Sequence, residues 1–469
     1  MKRMIKDWLK SASIGLAISL TTTGLARAET LAETLVSAYE NSGLLDQNRA
    51  LLRAADEDAA QILAALRPII NYSADFTRSF GRSAAGVFTG TTSSNTVNIG
   101  LSLQLLLFDA GQTRFQLEAA KESVLATREA LRSVEQQVLL RAVAAFQDVR
   151  RNQEFVALRD NNLRLLRQEL RAAQDRFEVG EVTRTDVAQA EARLAAARSE
   201  FAAAEGDLTQ AIEEFRAAVG RLPGNLQPPR NLPNLSGDID ESAQIAVRAH
   251  PDILQARHEV SAAELNVLAA DAETKPDVSL FGNLGASEDI SDNDFSRTGS
   301  FGVQVTGPIY QGGLISSLKR QAMAQRDATR GNLHEVRRRI VQDVGDAYAI
   351  LRAAQAQRRS SREQVRAADV AFRGVREEAT LGARTTLDVL DAEQELLDAR
   401  ANMIAAEADV VVAAYSVLAS LGQLTAKDLN LDVQLYDPAA YYNLVKDAPV
   451  PISPQGQKLD RVLRALGKD

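Results

Sequence analysis

Residues Thr96 to Leu105 read TVNIGLSLQL. Val97, Ile99, Leu101, Leu103 and Leu105 alternate with Thr96, Asn98, Gly100, Ser102 and Gln104. That period of two places apolar side chains on one face of a strand and small or polar ones on the other. Upstream, Ile70, Tyr72, Ala74 and Phe76 alternate with Asn71, Ser73, Asp75 and Thr77; far downstream, Phe301, Val303 and Val305 alternate with Gly302, Gln304 and Thr306. Strands are expected at 70–80, 95–107, 278–286 and 299–307. A soluble hairpin packed on its own helices shares this pattern with a membrane barrel. The small, polar second faces favour the barrel, with lipid outside and water inside, as do Tyr72, Phe108, Phe281 and Tyr310 near strand ends. Four strands cannot close a barrel, which needs about eight at least, and open edges are not tolerated in lipid. More than one chain must contribute.

The strands sit inside a duplication. VGEVTRTDVAQAEARL, Val179 to Leu194, is nearly rewritten as LGARTTLDVLDAEQEL, Leu381 to Leu396. Gly180 and Gly382, Asp186 and Asp388, Glu191 and Glu393, and Arg198 and Arg400 are each 202 positions apart, as are Gly111 and Gly313. The repeats are placed at 29–220 and 241–435. Between them RLPGNLQPPRNLPNLSGD, with four prolines and two glycines, marks a linker over 221–240. The stretch 436–469 reads as a tail wrapping the surface or partly disordered.

Each repeat has the same order. A helix is expected over Glu29–Arg67 and over Glu241–Lys275, stopped by Pro68 and Pro276. Two short strands follow. A very long helix then runs over Gln112–Val179 or Leu314–Leu381, and a second returns to about Val219 or Leu421. Some 67 residues of helix reach about 100 Å. Leu117, Val124, Leu131 and Val138 step by sevens, and Leu163, Leu166, Leu170, Ala173 and Phe177 by threes and fours, which is coiled-coil spacing. Heptads alone also fit a soluble, exported coiled-coil adaptor or structural rod. That alternative leaves the alternating strands unexplained.

The totals narrow the function. The 469 residues carry a formal charge of −8, so nothing favours nucleic acid as a partner. Lys2, Arg3 and Lys6, the run SIGLAISLTTTGL and Ala26-Arg27-Ala28 read as an export signal over 1–28, cut before Glu29. Its apolar run, about 15 residues, is shorter than the roughly 20 a spanning helix needs. No apolar run of spanning length is read in the remainder. The absence of cysteine excludes thiolate metal sites, cysteine catalysis and a lipidated cysteine. His250, His258 and His334 are the only histidines and do not pair at metal spacing; phosphate loops and G-x-S-x-G are absent. Neither an enzyme nor a cofactor is expected.

These residues resemble the TolC-type outer-membrane efflux and type I secretion channel family. The resemblance rests on the two repeats, PIYQGG at Pro308–Gly313, RFEVGEVTRTDV at Arg176–Val187 and LGARTTLDVLDA at Leu381–Ala392. It implies a mainly α fold with a small β part. Three protomers would form a twelve-stranded outer-membrane β-barrel continued by a twelve-helix periplasmic α-barrel, with the linker and tail in a belt around the tube. The implied partners are two further copies, outer-membrane lipid, a periplasmic adaptor and an inner-membrane ABC or proton-driven pump.

The resemblance also assigns sites. Gly180 and Gly382 would turn the periplasmic hairpins where an adaptor docks, with Thr183 and Thr385 at the start of each returning helix. Asp388 and Asp391, three apart on one helical face, would form two stacked carboxylate rings at the periplasmic aperture. Arg384 on one hairpin and Thr185 and Asp186 on the other match the family's tip latch. The family's best-known member has a tyrosine where this chain has Ala379, so one latch contact is missing.

Overall fold

The computed structural model describes residues 28–85, 88–229, 231–235, 237–291 and 294–465; residues 1–27 of the expected export signal lie outside them. In chain order the elements are β1 (Ala28–Glu29), α1 (Leu31–Asn41), α2 (Gly43–Ala64), β2 (Ile69–Ala85), β3 (Phe88–Phe108), α3 (Gln112–Glu178), α4 (Arg184–Val219) and β4 (Asn225–Leu226). The second half holds α5 (Ile239–Ala249), α6 (Pro251–Ala272), β5 (Asp277–Asp289), β6 (Asp294–Thr306), α7 (Leu314–Thr380), α8 (Thr386–Ser420), α9 (Pro438–Val445) and α10 (Pro454–Ala465). Two compact units result, each drawing on both repeats. One takes residues up to Asn41, Arg141–Pro233 and Ala353–Ala414; the other takes Ser42–Leu140, Asn234–Arg352 and everything from Tyr415.

The helices expected over Glu29–Arg67 and Glu241–Lys275 are each broken in two. Ser42 adopts an extended conformation, and its side chain accepts from the Leu45 N–H, capping α2. His250 precedes Pro251, whose ring disfavours a helical residue before it; His250 is accordingly extended, and Pro251 opens α6. A proline at a first helical position is easily mistaken for part of one longer helix.

The unit containing the sheet shows why the alternation matters. Its strands pair antiparallel in the order β2-β3-β5-β6. Tyr72 stands opposite Leu101, Leu101 opposite Leu284, Leu103 opposite Gly282, and Gly282 opposite Phe301. Cross-strand partners share a face, so the four apolar rows merge into one surface. Tyr72, Phe76, Ile99, Leu101, Leu284, Phe301, Val303 and Val305 on it are all exposed. The opposite face carries Ser73, Asp75, Asn98, Ser102, Asn283, Ser300 and Gln304.

Phe281 departs from expectation. It pairs with Gln104 and Gly302 on the polar face, well inside β5 and not in an aromatic row at its end. A Cβ at Gly302 would lie 2.9 Å from the Phe281 ring, so Gly302 makes room for it. The strands are also longer than the apolar runs suggested, 17, 21, 13 and 13 residues. Backbone pairing continues through polar sequence that periodicity cannot recognise. Among the described residues β2 pairs only with β3 and β6 only with β5, so both outer edges stay open.

In the same unit, α9 lies against α2. The Tyr441 hydroxyl donates to Glu57 at 2.7 Å, and Arg67 donates to the carbonyls of Asp447 and, at 2.7 Å, Ala448. Part of the expected C-terminal tail is therefore helical, with α9 bonded to α2.

The other unit is helical, with β1 and β4 as a short parallel pair. Leu163 and Leu166 of α3, Leu194 and Ala197 of α4 and Leu390 of α8 form one buried cluster; Ala368 of α7 with Leu396 and Ala399 of α8 forms another. Each buried leucine contributes about 2 kcal/mol, and the alanines let helix backbones approach closely. Phe177, read as part of the heptad row, is exposed. Contrary to the sequence reading, α8 does hold a window apolar enough in composition to cross a membrane. Its Leu390, Leu396, Ala399 and Val410 are buried among the chain's own helices.

Glu29 fixes the start of this unit. Only 5 % exposed, it accepts from the Thr34 hydroxyl (2.8 Å), Arg221 Nη2 (2.7 Å) and the Gly224 N–H (2.8 Å). Residues of the Pro-rich linker are thereby tied to the first helix of the repeat.

Candidate functional site

The helical unit contains two interhelical turns built alike, atom for atom, 202 residues apart. In the first, Gly180 takes φ +80°, its N–H reaches the Phe177 carbonyl at 3.0 Å, and Glu181 N–H reaches Arg176 O at 2.9 Å. In the second, Gly382 takes φ +78°, bonding Ala379 O at 3.1 Å, and Ala383 N–H reaches Glu378 O at 2.9 Å. Left-handed backbone closes each helix, which is why glycine recurs there.

The returning helices start identically as well. Thr183 Oγ1 accepts from the Asp186 N–H at 3.3 Å, while Asp186 Oδ2 accepts from the Thr183 N–H and hydroxyl, both at 2.8 Å. Thr385 and Asp388 repeat this at 3.2, 2.9 and 2.8 Å. Each is a capping box with aspartate at the third helical position. The Thr385 bonds first, then Arg384, hold the Asp388 carboxyl below the usual carboxylate range.

The structure thus brings together Thr183 with Asp186 and Thr385 with Asp388. Within one chain it does not bring Arg384 to Asp186 or Thr185. Arg384 Nε instead donates to Glu378 Oε2 at 2.8 Å, and Thr185 is exposed at the start of α4. Asp391, one turn beyond Asp388, accepts from Arg193 Nη2 of α4 at 2.6 Å.

Sequence reasoning missed three participants, Glu378, Arg193 and Glu393. Arg193 lies seven residues, two turns, after Asp186 on α4, and helical spacing offered a hint of its position. Glu393 offered none. Its repeat counterpart Glu191 is exposed, whereas Glu393 is buried at a cavity of about 250 Å³ bordered by α3, α4 and α8. Burial, reinforced by Glu169, pushes its pKa up to about 7 against the pull of Arg376 and Arg193.

Two of the three histidines are engaged locally. His250 Nδ1 accepts from the Asp252 N–H at 3.2 Å, and His258 Nδ1 lies 2.7 Å from Glu122 Oε2. Among the described residues no cluster of three metal-ligating side chains occurs.

A sheet apolar on one face, polar on the other and open at both edges, in a chain of long antiparallel helices, defines a protomer of an outer-membrane channel extending into the periplasm. The comparisons agree. The outer membrane efflux protein family matches residues 34–221 and 243–423, one match per repeat, and the chain belongs to that family. It is 37 % identical over 441 residues to outer membrane efflux protein BepC of Brucella suis, covering 94 % of this chain and 95 % of that one. It is 26 % identical over 347 residues to the alkaline protease secretion protein AprF of Pseudomonas aeruginosa, covering 71 % and 72 %. The CmeC outer membrane channel of Campylobacter jejuni shares the fold, with a TM-score of 0.74 at 17 % identity over 89 % of each chain. Proteins of this family are channels rather than enzymes; TolC-family channels are trimeric and work with adaptors and pumps.

Proposed function

We propose that three copies of this chain close a twelve-stranded barrel and a twelve-helix tube that serve as the exit duct for substrates delivered by an inner-membrane pump through a periplasmic adaptor. The observation that carries this reading is the sheet with its two unpaired edges. An isolated protomer would expose the backbone donors and acceptors of β2 and β6 to hydrocarbon, at several kcal/mol per orphaned group. Edge-to-edge pairing with identical neighbours removes that cost. The test is the mass of the detergent-purified channel: a species three times the protomer supports the reading, and a stable monomer with the sheet intact overturns it.

At the tip, Gly180 and Gly382 turn the hairpins that an adaptor would engage. Asp388 and Asp391 of three copies line the aperture as two acidic rings, a constriction that favours cations. Arg384 latches to Thr185 and Asp186 of a neighbouring hairpin when the tip is closed. That requires Arg384 to leave Glu378, a change costing little because both groups are half exposed. The adaptor opens the tip by binding the open state better than the closed one.

The repeats at 29–220 and 241–435 supply the barrel strands and tube helices, and 221–240 and 436–469 supply the belt. Two cargo classes are supported by the relatives' names, efflux for BepC and secretion of a protease for AprF. Identity is higher and coverage nearly complete for the efflux protein, so small toxic compounds are the first cargo to test. A deletion strain should become sensitive to dyes, detergents and antibiotics. Unchanged susceptibility with a missing secreted polypeptide would assign the duct to protein export.

A further inference from the structure

Arg193 of α4 bonds one carboxylate of α8, Asp391, and lines a cavity with a second, Glu393. Its Nη2 donates to Asp391 Oδ1 at 2.6 Å. Glu393 is 6 % exposed, and neither of its oxygens has a hydrogen-bond partner among the described residues. A buried carboxylate without a donor resists ionisation unless a cation is within reach. The charged groups around it are few. Glu169 of α3 opposes its ionisation, while Arg193 of α4 and Arg376 of α7 favour it. Glu200 of α4, also at the cavity, is engaged by Arg159 of α3 at 2.8 Å. The arrangement occurs once per chain: the repeat counterpart of Arg193 is Glu395, and that of Glu393 is the exposed Glu191.

We propose that Arg193 sets the charge of the aperture, as a counter-ion shared between Asp391 and Glu393, so that protonation of Glu393 governs how much of the Asp391 charge faces the pore. This rests on reading Asp388 and Asp391 as the aperture. Well below about pH 7 Glu393 is mostly neutral, the guanidinium stays on Asp391, and that ring is largely compensated. Above pH 7 the ionised, partnerless Glu393 competes for Arg193 and uncovers Asp391. Asp388, held below the usual carboxylate range, keeps its charge throughout this interval. Cation preference therefore rises through pH 7. Arg193 acts here as a positioning residue, because its effect on permeating ions runs through Asp391.

The test uses the full-length channel purified from outer membranes and placed in planar bilayers, with reversal potentials read in a salt gradient at pH 6 and pH 8. The wild-type cation-to-anion permeability ratio should be about twofold higher at pH 8. Glu393→Gln should hold the ratio at its pH 6 value. Arg193→Gln should raise the pH 6 ratio about twofold and abolish the pH dependence, whereas Arg193→Lys, which keeps the charge, should restore the wild-type order of the two values. An unchanged ratio in Arg193→Gln, or a persisting pH dependence in Glu393→Gln, overturns the proposal. The double variant Asp388→Asn, Asp391→Asn separates the two readings. If it lowers the ratio while Arg193→Gln does nothing, the sharing alone fails; if it too changes nothing, the aperture assignment falls.

Discussion

Asp388 Oδ2 accepts from both the backbone N–H and the hydroxyl of Thr385, at 2.9 and 2.8 Å. The carboxylate that the aperture reading places in the pore therefore also anchors the first turn of α8. Its direction is set by the cap, and any change at this position alters a charge and a helix start together. Asparagine keeps an acceptor in place and is the appropriate probe of charge; alanine is not.

Thr385→Ala should loosen the beginning of α8 by about 1 kcal/mol, seen as roughly fivefold faster amide exchange over the first turn. Thr183→Ala should do the same at the start of α4. Exchange in the cluster around Leu163 and Leu194 should be unchanged in both. Exchange rates equal to wild type at the two turns would mean that the caps are not formed in the assembled channel.

The sheet register predicts opposite tolerance at adjacent positions. Leu101→Arg puts a charge on the apolar face, at about 2 to 4 kcal/mol per chain near the bilayer midplane, and should sharply reduce assembled channel in outer-membrane fractions. Ser102→Arg faces the other way and should assemble normally. Equal losses in the two variants would refute the assignment of faces.

Glu29→Ala leaves the Gly224 N–H without its acceptor and removes one acceptor each from Arg221, which keeps Ser37 Oγ, and the Thr34 hydroxyl, which keeps the Thr30 carbonyl. Lost bonds at a buried carboxylate whose Arg221 partner is 40 % exposed predict a loss of about 2 kcal/mol, read as a lower thermal midpoint of the helical signal. Glu29→Gln, which retains an acceptor, should lose less. A midpoint within error of wild type for Glu29→Ala would show that the linker is held by other contacts.

Asp56 on α2 is 1 % exposed, neither oxygen has a hydrogen-bond partner among the described residues, and burial pushes its pKa up to about 6 against the pull of Arg128. An acid whose folded pKa exceeds its unfolded value, here 3.8, contributes stability at low pH that is lost as pH rises through about 6. Asp56→Asn should therefore be more stable than wild type at pH 8, by about 2 kcal/mol after allowance for screening, and indistinguishable at pH 4. The difference in thermal midpoint between the two pH values is the readout. A variant equally or less stable at pH 8 would mean that Asp56 has a partner in the assembled channel.

Local chemistry made much of this protein readable. The period of two in β3 required a two-faced strand, the 202-residue register required two equivalent turns, and Gly180 and Gly382 required left-handed backbone, because each depends only on a residue and its near neighbours. Breaks at Ser42 and His250 were less visible, since a capping serine or a first-turn proline can also be accommodated within a longer helical pattern.

What the amino-acid order determined by itself was the kind of elements and their sequence: apolar period and turn chemistry are properties of a segment. What only the tertiary structure decided was which of two equivalent residues is buried. Glu191 and Glu393 occupy the same place in the repeat, yet one meets solvent and the other a cavity beside Arg193. Likewise the pairing of Arg193 with Asp391, 198 residues apart, depends on where side chains of separate helices end up. Desolvation and ion pairing act through space, and the distances that set them arise only when the helices pack.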